Sequence, residues 1–203
     1  MPSASVTADR IEIRITGFGG QGVVLAGHII GKACAINAGM NATMIQSFGP
    51  EARGSACSAT LAVSEQEILY PYIHRPDIFV VMSGEGYEKY GGELKEDGLL
   101  LYEQDLVGSI SFSVDRSFGI PSTRIAESLG RSIVQNIVMV GFFAGVAELV
   151  PADAMREAVR LSVPSGTEDL NLQAFDSGLA YAVDLKARPT TADSQPTAEE
   201  VTA

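Results

Sequence analysis

Hydrophobic residues follow two different periods along this chain, and the change of period predicts an α/β fold. Ile11, Ile13 and Ile15 alternate with polar residues, which is the pattern of a β-strand with one buried face. Across residues 21–37, apolar side chains fall on nearly every face, which is typical of a helix covered on both sides. The chain is therefore expected to open with a strand, a glycine-rich turn and a buried helix.

The same patterns predict the remaining elements. Short apolar or alternating runs predict further strands at residues 40–46, 56–64, 78–82, 99–102 and 110–114. Helices are predicted from an N-cap at Ser122 to Gly130, over 133–149, from Pro151 onward, and from a Ser165/Glu168 capping box to about residue 186. Because a strand–helix unit opens the chain, we expect one Rossmann-like α/β domain over residues 10–186, with a mostly parallel sheet and helices on both faces. Residues 1–9 are expected to fray, and the acidic tail 187–203 to be disordered.

The turn between the first strand and the first helix carries the first candidate site. Gly17, Gly19 and Gly22 have the spacing G-x-G-x-x-G, and Gly20 and Gln21 stand between them. Glycine reaches positive φ without steric cost, and the free N–H groups at a helix start attract anions. The turn therefore suits a phosphate, a carboxylate or an acidic group of a partner. It equally suits a tight strand–helix turn with nothing bound, so the spacing alone leaves both interpretations open.

A second unusual stretch, residues 47–55, follows the second predicted strand. It contains Glu51, Arg53 and Gly54, and in an open parallel sheet such a loop lies at the edge where ligands bind. Arg53 suits a bidentate contact to a phosphate, a carboxylate or a partner's acid, with Glu51 orienting it. The alternative is a surface ion pair of little energetic value. The strand before this loop ends in Gln46 and lacks the acid that holds a ribose, which argues against NAD.

Composition removes several classes of function. The net charge of −11 argues against nucleic acid and against an anionic membrane surface as partners. Cys34 and Cys57, the two cysteines, cannot form a four-thiolate cluster or a Cys₄ zinc site, and we expect both to be small core residues. The N-terminus has no apolar leader, and the longest apolar run, residues 137–147, is too short to cross a bilayer. A soluble, cytoplasmic protein is expected.

Catalytic side chains are scarce in this sequence. His28 and His74 are its two histidines, and neither has a recognisable nucleophile or second metal ligand near it in the sequence. His28 is expected to be a packed or surface residue of its helix. A chain with two elaborate glycine loops and few catalytic groups is more typical of a subunit than of a complete enzyme.

Two motifs together resemble one known family. They are GFGGQGV at residues 17–23 and SFGPEARG at residues 47–54. In this pair the chain resembles the gamma subunits of 2-oxoacid:ferredoxin oxidoreductases, together with the gamma-like domain of pyruvate:ferredoxin oxidoreductase and the small subunit of indolepyruvate oxidoreductase. The resemblance spans about residues 10–185 and looks most like the 2-oxoglutarate and branched-chain 2-oxoacid branches. It continues through Pro76-Asp77-Ile78, Ile120-Pro121, Asn136, Gly141, Asn171, Ala174-Phe175 and Gly178, and departs at Ser55, where the family commonly has glycine.

The resemblance implies an activity of a complex, with a Rossmann-like gamma subunit in it. Such complexes decarboxylate a 2-oxoacid, here expected to be 2-oxoglutarate, on thiamine diphosphate, transfer the acyl group to coenzyme A and pass electrons through iron–sulfur clusters to ferredoxin. The resemblance implies that thiamine diphosphate, magnesium and the clusters sit on the alpha and beta partner subunits. This chain is then expected to bind no cofactor alone, to be inactive in isolation and to have a structural and interfacial role. The residues expected to contact coenzyme A or a partner subunit are Gly17, Gly19, Gly20, Gln21, Gly22, Glu51, Arg53 and Gly54.

Two other classes of function stay open at this point. One is a free-standing regulator that binds an adenylate on the same glycine turn. The other is a pure assembly scaffold, in which the glycines only allow helices and a partner backbone to pack closely. Nucleotide binding by the isolated chain favours the regulator, and binding only to larger subunits favours the scaffold.

Overall fold

A six-stranded mixed sheet forms the centre of the protein in the computed structural model, which describes residues 10–47 and 56–187. The strand order across the sheet is β2-β3-β1-β4-β5-β6. The strands are β1 (Arg10–Phe18), β2 (Asn41–Ser47), β3 (Ala56–Ser64), β4 (Ile78–Val81), β5 (Leu99–Glu103) and β6 (Ser117–Ile120). β1, β4, β5 and β6 run parallel, whereas β3 lies antiparallel between β1 and β2. The predicted mostly parallel, Rossmann-like α/β sheet is confirmed.

Helices cover both faces of the sheet, but unequally. The helices are α1 (Val23–Lys32, continued by a π-helical turn Ala33–Asn37), α2 (Gly84–Tyr90), α3 (Ser122–Ser128), α4 (Gln135–Ala147), α5 (Ala152–Arg160) and α6 (Glu168–Ala187). On one face, α1, α4, α5 and α6 enclose the main core with the inward side chains of the sheet. On the other face, Tyr87 and Tyr90 of α2 pack on a smaller cluster that includes Phe79 and Leu100.

The period of two along β1 explains how one strand serves both faces. Ile13 and Ile15 are fully buried in the main core. Arg14 and Thr16 alternate with them and are also buried, because α2 and its surroundings cover the second face. The Arg14 guanidinium lies 4.4 Å from the centre of the Tyr90 ring and forms a 2.6 Å ion pair with Glu93. A charge at this depth is therefore paired and shielded by an aromatic ring.

The centre of the main core is the contact between α4 and α6. Every residue of α4 is buried, which fits its continuous apolar sequence. A Cβ atom on Gly141 would collide with the Phe175 carbonyl oxygen, and one on Gly178 would collide with the Val138 carbonyl oxygen. The two helices therefore touch backbone to backbone at this crossing. Among the described residues, no helix combines the length and apolar character needed to span a membrane.

Two sequence predictions about elements are wrong. Residues 110–114 do not form the edge strand, which is β6, seven residues further along. The apolar alternation there has another cause, because Ile110 and Phe112 pack as loop residues on the smaller cluster, and the Ser111 N–H donates to the Tyr87 hydroxyl at 3.0 Å. Ser122 is also not an N-cap: it is the first residue of α3, and Pro121 holds the cap position without a side-chain hydrogen bond.

The last helix begins later than its predicted capping box. The Thr167 carbonyl accepts the bond from the Asn171 N–H, and Glu168 is the first helical residue. The Glu168 carboxylate reaches back to the Gly166 N–H at 2.6 Å, so it satisfies a backbone donor just outside the helix. The predicted frayed end, 1–9, and residues 188–203 of the predicted tail lie outside the described residues; Ala187 ends α6.

Candidate functional site

The glycine turn lies at the carboxyl end of β1. At this point the helices that follow β1 and β4 pack on opposite faces of the sheet. β1 and β4 are adjacent and parallel, and α1 follows β1 on one face while α2 follows β4 on the other. In open α/β sheets the crevice at such a point is the usual place for a ligand. The candidate residues of the turn therefore stand at the position where this fold binds ligands.

Backbone conformation explains two of the four glycines. Gly20 has φ +102° and Gly22 has φ +74°, a region that L side chains adopt only with strain. Gly22 is the N-cap of α1 in the left-handed conformation, and its carbonyl accepts from the Ala26 N–H at 2.9 Å. Gly19 is half-buried and Gly20 is exposed, so the backbone of Gly20 is the part of the turn most open to a partner.

Gln21 fills the crevice with its own side chain. Its Oε1 accepts from the Phe18 N–H at 2.6 Å, and its Nε2 donates to the Met82 carbonyl at 3.0 Å. The side-chain amide thus ties the end of β1 to the end of β4. A Cβ on Gly17 would lie 2.6 Å from Gln21 Oε1, so Gly17 provides the space that this amide occupies. Gln21 is predicted from the sequence to contact coenzyme A or a partner subunit, and in the structure its amide is engaged with backbone on both sides.

The start of α1 is locked by a residue from a distant helix. Asn136, in the first turn of α4, is 3% exposed, and its Nδ2 donates to the Gly22 carbonyl at 3.3 Å. A Cβ on Gly22 would lie 2.7 Å from the Asn136 Cγ. Within the described part of the chain no side chain caps α1, and its first turn holds no acid. The backbone N–H groups in the first turn of α1 therefore present a partial positive charge near the carboxyl end of β1.

The strands that flank the second candidate stretch are described at the same end of the sheet as the glycine turn. Glu51, Arg53 and Gly54 lie outside the described residues. The strands on either side are described: Ser47 pairs with Ser58, and Ala56 pairs with Phe18 at the end of β1. The connection that carries these three residues therefore leaves and re-enters the sheet beside the glycine turn.

A buried polar network at the carboxyl end of β5 was missed from the sequence. The carboxylate of Glu103, the last residue of β5, is fully buried. It accepts from the Ser122 hydroxyl, from the Thr123 N–H at 2.9 Å and from the Asp105 N–H at 3.1 Å. Thr123 Oγ1 also donates to the Gln135 amide oxygen at 3.0 Å. Glu103 thus caps α3 in place of Ser122. The sequence feature that could have indicated this role is an acidic residue directly after the apolar run of the predicted strand 99–102.

The histidines and cysteines show no arrangement for catalysis. His28 is exposed on α1, as expected for a surface residue, and His74 is exposed with its ring stacked on Tyr70. Both cysteines are buried, which confirms their expected place in the core. Burial raises the pKa of the Cys34 thiol to about 12, so this thiol stays neutral. Among residues 10–47 and 56–187, no group of three or more His, Cys, Asp or Glu is placed to hold a metal ion.

Comparison with known proteins identifies the family. The family described as "Pyruvate ferredoxin/flavodoxin oxidoreductase" matches residues 12–181. The chain is 43% identical to the 2-oxoglutarate synthase subunit KorC of Methanocaldococcus jannaschii over 179 residues, which cover 87% of this chain and 96% of that protein. It is 37% identical to the pyruvate synthase subunit PorC of Methanothermobacter marburgensis over 170 residues, covering 81% of this chain and 93% of the relative.

Solved structures agree with these relatives. The gamma subunit of a keto/oxoacid ferredoxin oxidoreductase from Geobacter sulfurreducens superposes with a TM-score of 0.74 at 33% identity, covering 86% of this chain and 99% of that one. The 2-oxoglutarate:ferredoxin oxidoreductase from Magnetococcus marinus shares the fold, with a TM-score of 0.76 at 23% identity over 93% of this chain and 34% of that chain. The resemblance to gamma subunits of 2-oxoacid:ferredoxin oxidoreductases is confirmed, and the chain belongs to the pyruvate ferredoxin/flavodoxin oxidoreductase family.

Proposed function

We propose that this chain is the gamma subunit of a 2-oxoglutarate:ferredoxin oxidoreductase, a complex that converts 2-oxoglutarate, coenzyme A and oxidised ferredoxin into succinyl-CoA, carbon dioxide and reduced ferredoxin. The observation that carries this proposal is the pattern of identities. Two KorC subunits of 2-oxoglutarate synthases match at 43% and 44%, each over at least 95% of its length. Two PorC subunits of pyruvate synthases match at 37% and 35%.

In this proposal the chain assembles and shapes the enzyme, and the redox chemistry belongs to its partners. Thiamine diphosphate, magnesium and the iron–sulfur clusters are held by the other subunits. Gln21 holds the end of β1 and Asn136 holds the start of α1, which suits a fixed contact surface.

Within the complex, the glycine turn and the 48–55 connection contact an anionic group, which is a coenzyme A phosphate or an acid of a neighbouring subunit. The uncapped start of α1 and the exposed Gly20 backbone support this part of the proposal. Arg53 supplies the positive side chain. Gln21 acts indirectly, because its amide is engaged by backbone groups on both sides. The free-standing adenylate regulator is the weaker alternative, because relatives at 43% and 44% identity are subunits of 2-oxoglutarate synthases.

A mild affinity purification of the tagged chain from its native cells tests the assignment. The eluate is examined for partner subunits that carry thiamine diphosphate and iron–sulfur clusters. It is then assayed for coenzyme A-dependent reduction of a viologen dye by 2-oxoglutarate, pyruvate and 2-oxoisovalerate. We expect partner subunits and activity with 2-oxoglutarate. Activity with only another 2-oxoacid overturns the substrate, and an inactive chain that binds AMP on its own supports the regulator instead.

The anion contact is tested in the assembled complex with Arg53→Ala. We expect an increase in the apparent KM for coenzyme A of about tenfold, since a charge-assisted contact contributes roughly 1.5–3 kcal/mol. Arg156→Ala is the matched control, because Arg156 is an exposed arginine whose ion pair with Asp176 joins α5 to α6. An unchanged KM in Arg53→Ala together with weaker subunit assembly assigns the contact to a partner's acid. No change in either measurement contradicts a role for Arg53.

A further inference from the structure

The connection between β3 and β4 presents the largest group of exposed apolar side chains at one place on the described surface. We call residues 65–75 the tyrosine loop. Within it Leu69 is 86% exposed, Tyr70 is 52% exposed and Tyr72 is 56% exposed. The loop leaves the sheet after Ser64, which pairs with Arg10 at the start of β1. It therefore lies at the amino end of β1, whereas the glycine turn lies at the carboxyl end of that strand. Neither the proposed anion contact nor the Glu103 network involves the tyrosine loop.

Charged side chains of β1 hold the backbone of the tyrosine loop in place. The Arg10 guanidinium donates to the Tyr70 carbonyl at 2.6 Å and to the Tyr72 carbonyl at 2.7 Å. Glu12 forms a 3.0 Å ion pair with Arg10 and accepts from the His74 N–H at 3.4 Å. A loop without helix or strand is thus fastened at three backbone positions to a strand of the sheet. This fastening keeps exposed apolar groups in one arrangement.

The rings of the loop are ordered against each other. The Tyr70 and Tyr72 ring centres lie 5.3 Å apart, and the Tyr70 ring stacks on His74 at 6.1 Å with an interplanar angle of 16°. Tyrosines supply large contact areas with few rotatable bonds, and they are enriched among residues that dominate binding energies. Because the arrangement exists before binding, association loses little side-chain entropy here.

The charges around the loop indicate what kind of surface covers it. Glu65 and Glu67 are exposed within the tyrosine loop, whereas Arg75, the arginine of the loop, donates to the Leu94 carbonyl at 3.4 Å. The whole chain carries a net charge of −11. Two copies of this chain would each bring a net charge of −11, and this like charge opposes their association. A different chain with lysine or arginine around an apolar depression is complementary to both features.

We propose that the tyrosine loop is a docking site for a partner subunit of the same oxidoreductase, which receives Leu69, Tyr70 and Tyr72 in an apolar depression flanked by basic residues. This inference rests on the proposed function, because the partner is a subunit of that complex. It adds a second contact between subunits, at the end of the strands opposite the glycine turn. The chain is then held at both ends of its strands.

Hydroxyl-radical labelling of the native complex and of the isolated chain, read by mass spectrometry, tests the proposal directly. We expect Tyr70 and Tyr72 to be labelled at least about fivefold more slowly in the complex, while Val183, 57% exposed on α6, serves as an internal reference. Equal labelling of both tyrosines in an active complex overturns the docking site and leaves the proposed function standing. Protection in the isolated chain, together with a dimer in sedimentation, also overturns it, in favour of a second copy.

Substitutions provide a second measurement that separates docking from folding. In Tyr70→Ser/Tyr72→Ser the carbonyls bound by Arg10 remain, so the isolated chain is expected to keep its circular dichroism spectrum and melting temperature. We expect its affinity for the partner subunits to fall about 30-fold or more, as for the loss of a binding hot spot. Tyr70→Phe/Tyr72→Phe keeps the rings and should restore assembly, and Val183→Ser should assemble normally. Unchanged affinity in the serine variant overturns the proposal.

Discussion

Two groups of glycines in this protein, one in the crossing of α4 and α6 and one in the glycine turn, have different reasons for lacking a side chain. In the crossing of α4 and α6, a Cβ on Gly141 or Gly178 would meet the backbone of the other helix. In the glycine turn, a Cβ on Gly22 would meet the Asn136 side chain, and a Cβ on Gly20 would have no described atom within 4 Å. Backbone atoms can make room for a new methyl group only if the whole helix moves, whereas a side chain can change its own conformation. A methyl group that enters open space requires no movement of its neighbours. The environment, more than the spacing of the glycines, therefore sets the cost of replacing each one.

The largest effect is expected from Gly178→Ala in α6. The new methyl would collide with the Val138 carbonyl oxygen, so the two helices must separate at the centre of the core. We expect a loss of about 3 kcal/mol or more in the free energy of unfolding, the upper range for overpacking. Chemical denaturation of the isolated chain measures it.

Gly92→Ala is the matched control for this change. A Cβ on Gly92 would meet no described atom within 4 Å, and Gly92 is not among the glycines with positive φ. Its replacement should change stability by less than about 1 kcal/mol, in either direction. Equal effects of the two substitutions would contradict the view that backbone contact makes α4 and α6 intolerant.

Gly22→Ala is expected to rank second, and a double-mutant cycle separates its two causes. The left-handed conformation costs an alanine about 1–2 kcal/mol, and displacing Asn136 adds a similar amount. In an Asn136→Ala background the contacts with Nδ2 and Cγ are removed and only the Cβ at position 136, at 3.1 Å, remains, so the second substitution should cost little more than the conformational part. Denaturation midpoints of the four proteins give the coupling energy. A coupling of zero would show that Asn136 does not confine Gly22.

Gln21→Ala should have a smaller effect, about 1–3 kcal/mol, because it leaves the Phe18 N–H and the Met82 carbonyl without their side-chain partner. Part of the loss is recovered where water reaches the vacated crevice. Gln173→Ala on the exposed face of α6 is the control and should be nearly neutral. If removing Gln21 leaves stability unchanged and creates affinity for AMP, the amide acts as a plug and the adenylate interpretation regains support.

The sequence predicted most of the fold because its apolar periods are local signals. The runs at 56–64 and 78–82 became β3 and β4 with nearly the same bounds. The sixth strand was misplaced because Ile110 and Phe112 alternate like a strand while they pack as a loop. Local pattern identifies a buried side chain but does not reveal which neighbour buries it.

The sequence is enough to locate the candidate site, but it does not reveal the role of each residue in it. The spacing of the glycines located the turn, yet the contact that confines Gly22 comes from Asn136, 114 residues away. In the sequence, only the family resemblance distinguishes Asn136, and it assigns that residue no function. The capping of α3 by Glu103 likewise depends on strands and helices meeting in space. Contacts of this kind require the fold before they can be predicted.

Gly20→Ala is expected to have the smallest effect on stability and is the sharpest test of the turn as a contact surface. Only conformational strain at φ +102° opposes the alanine, so we expect a loss of about 1 kcal/mol in the isolated chain. In the complex, the added methyl stands on the exposed backbone that the proposal places against coenzyme A or a partner. Weaker assembly or a raised KM for coenzyme A, without unfolding, therefore assigns that contact to Gly20. Unchanged assembly and kinetics would show that the positive φ of Gly20 serves the turn alone, and the two groups of glycines would then share one purely structural purpose.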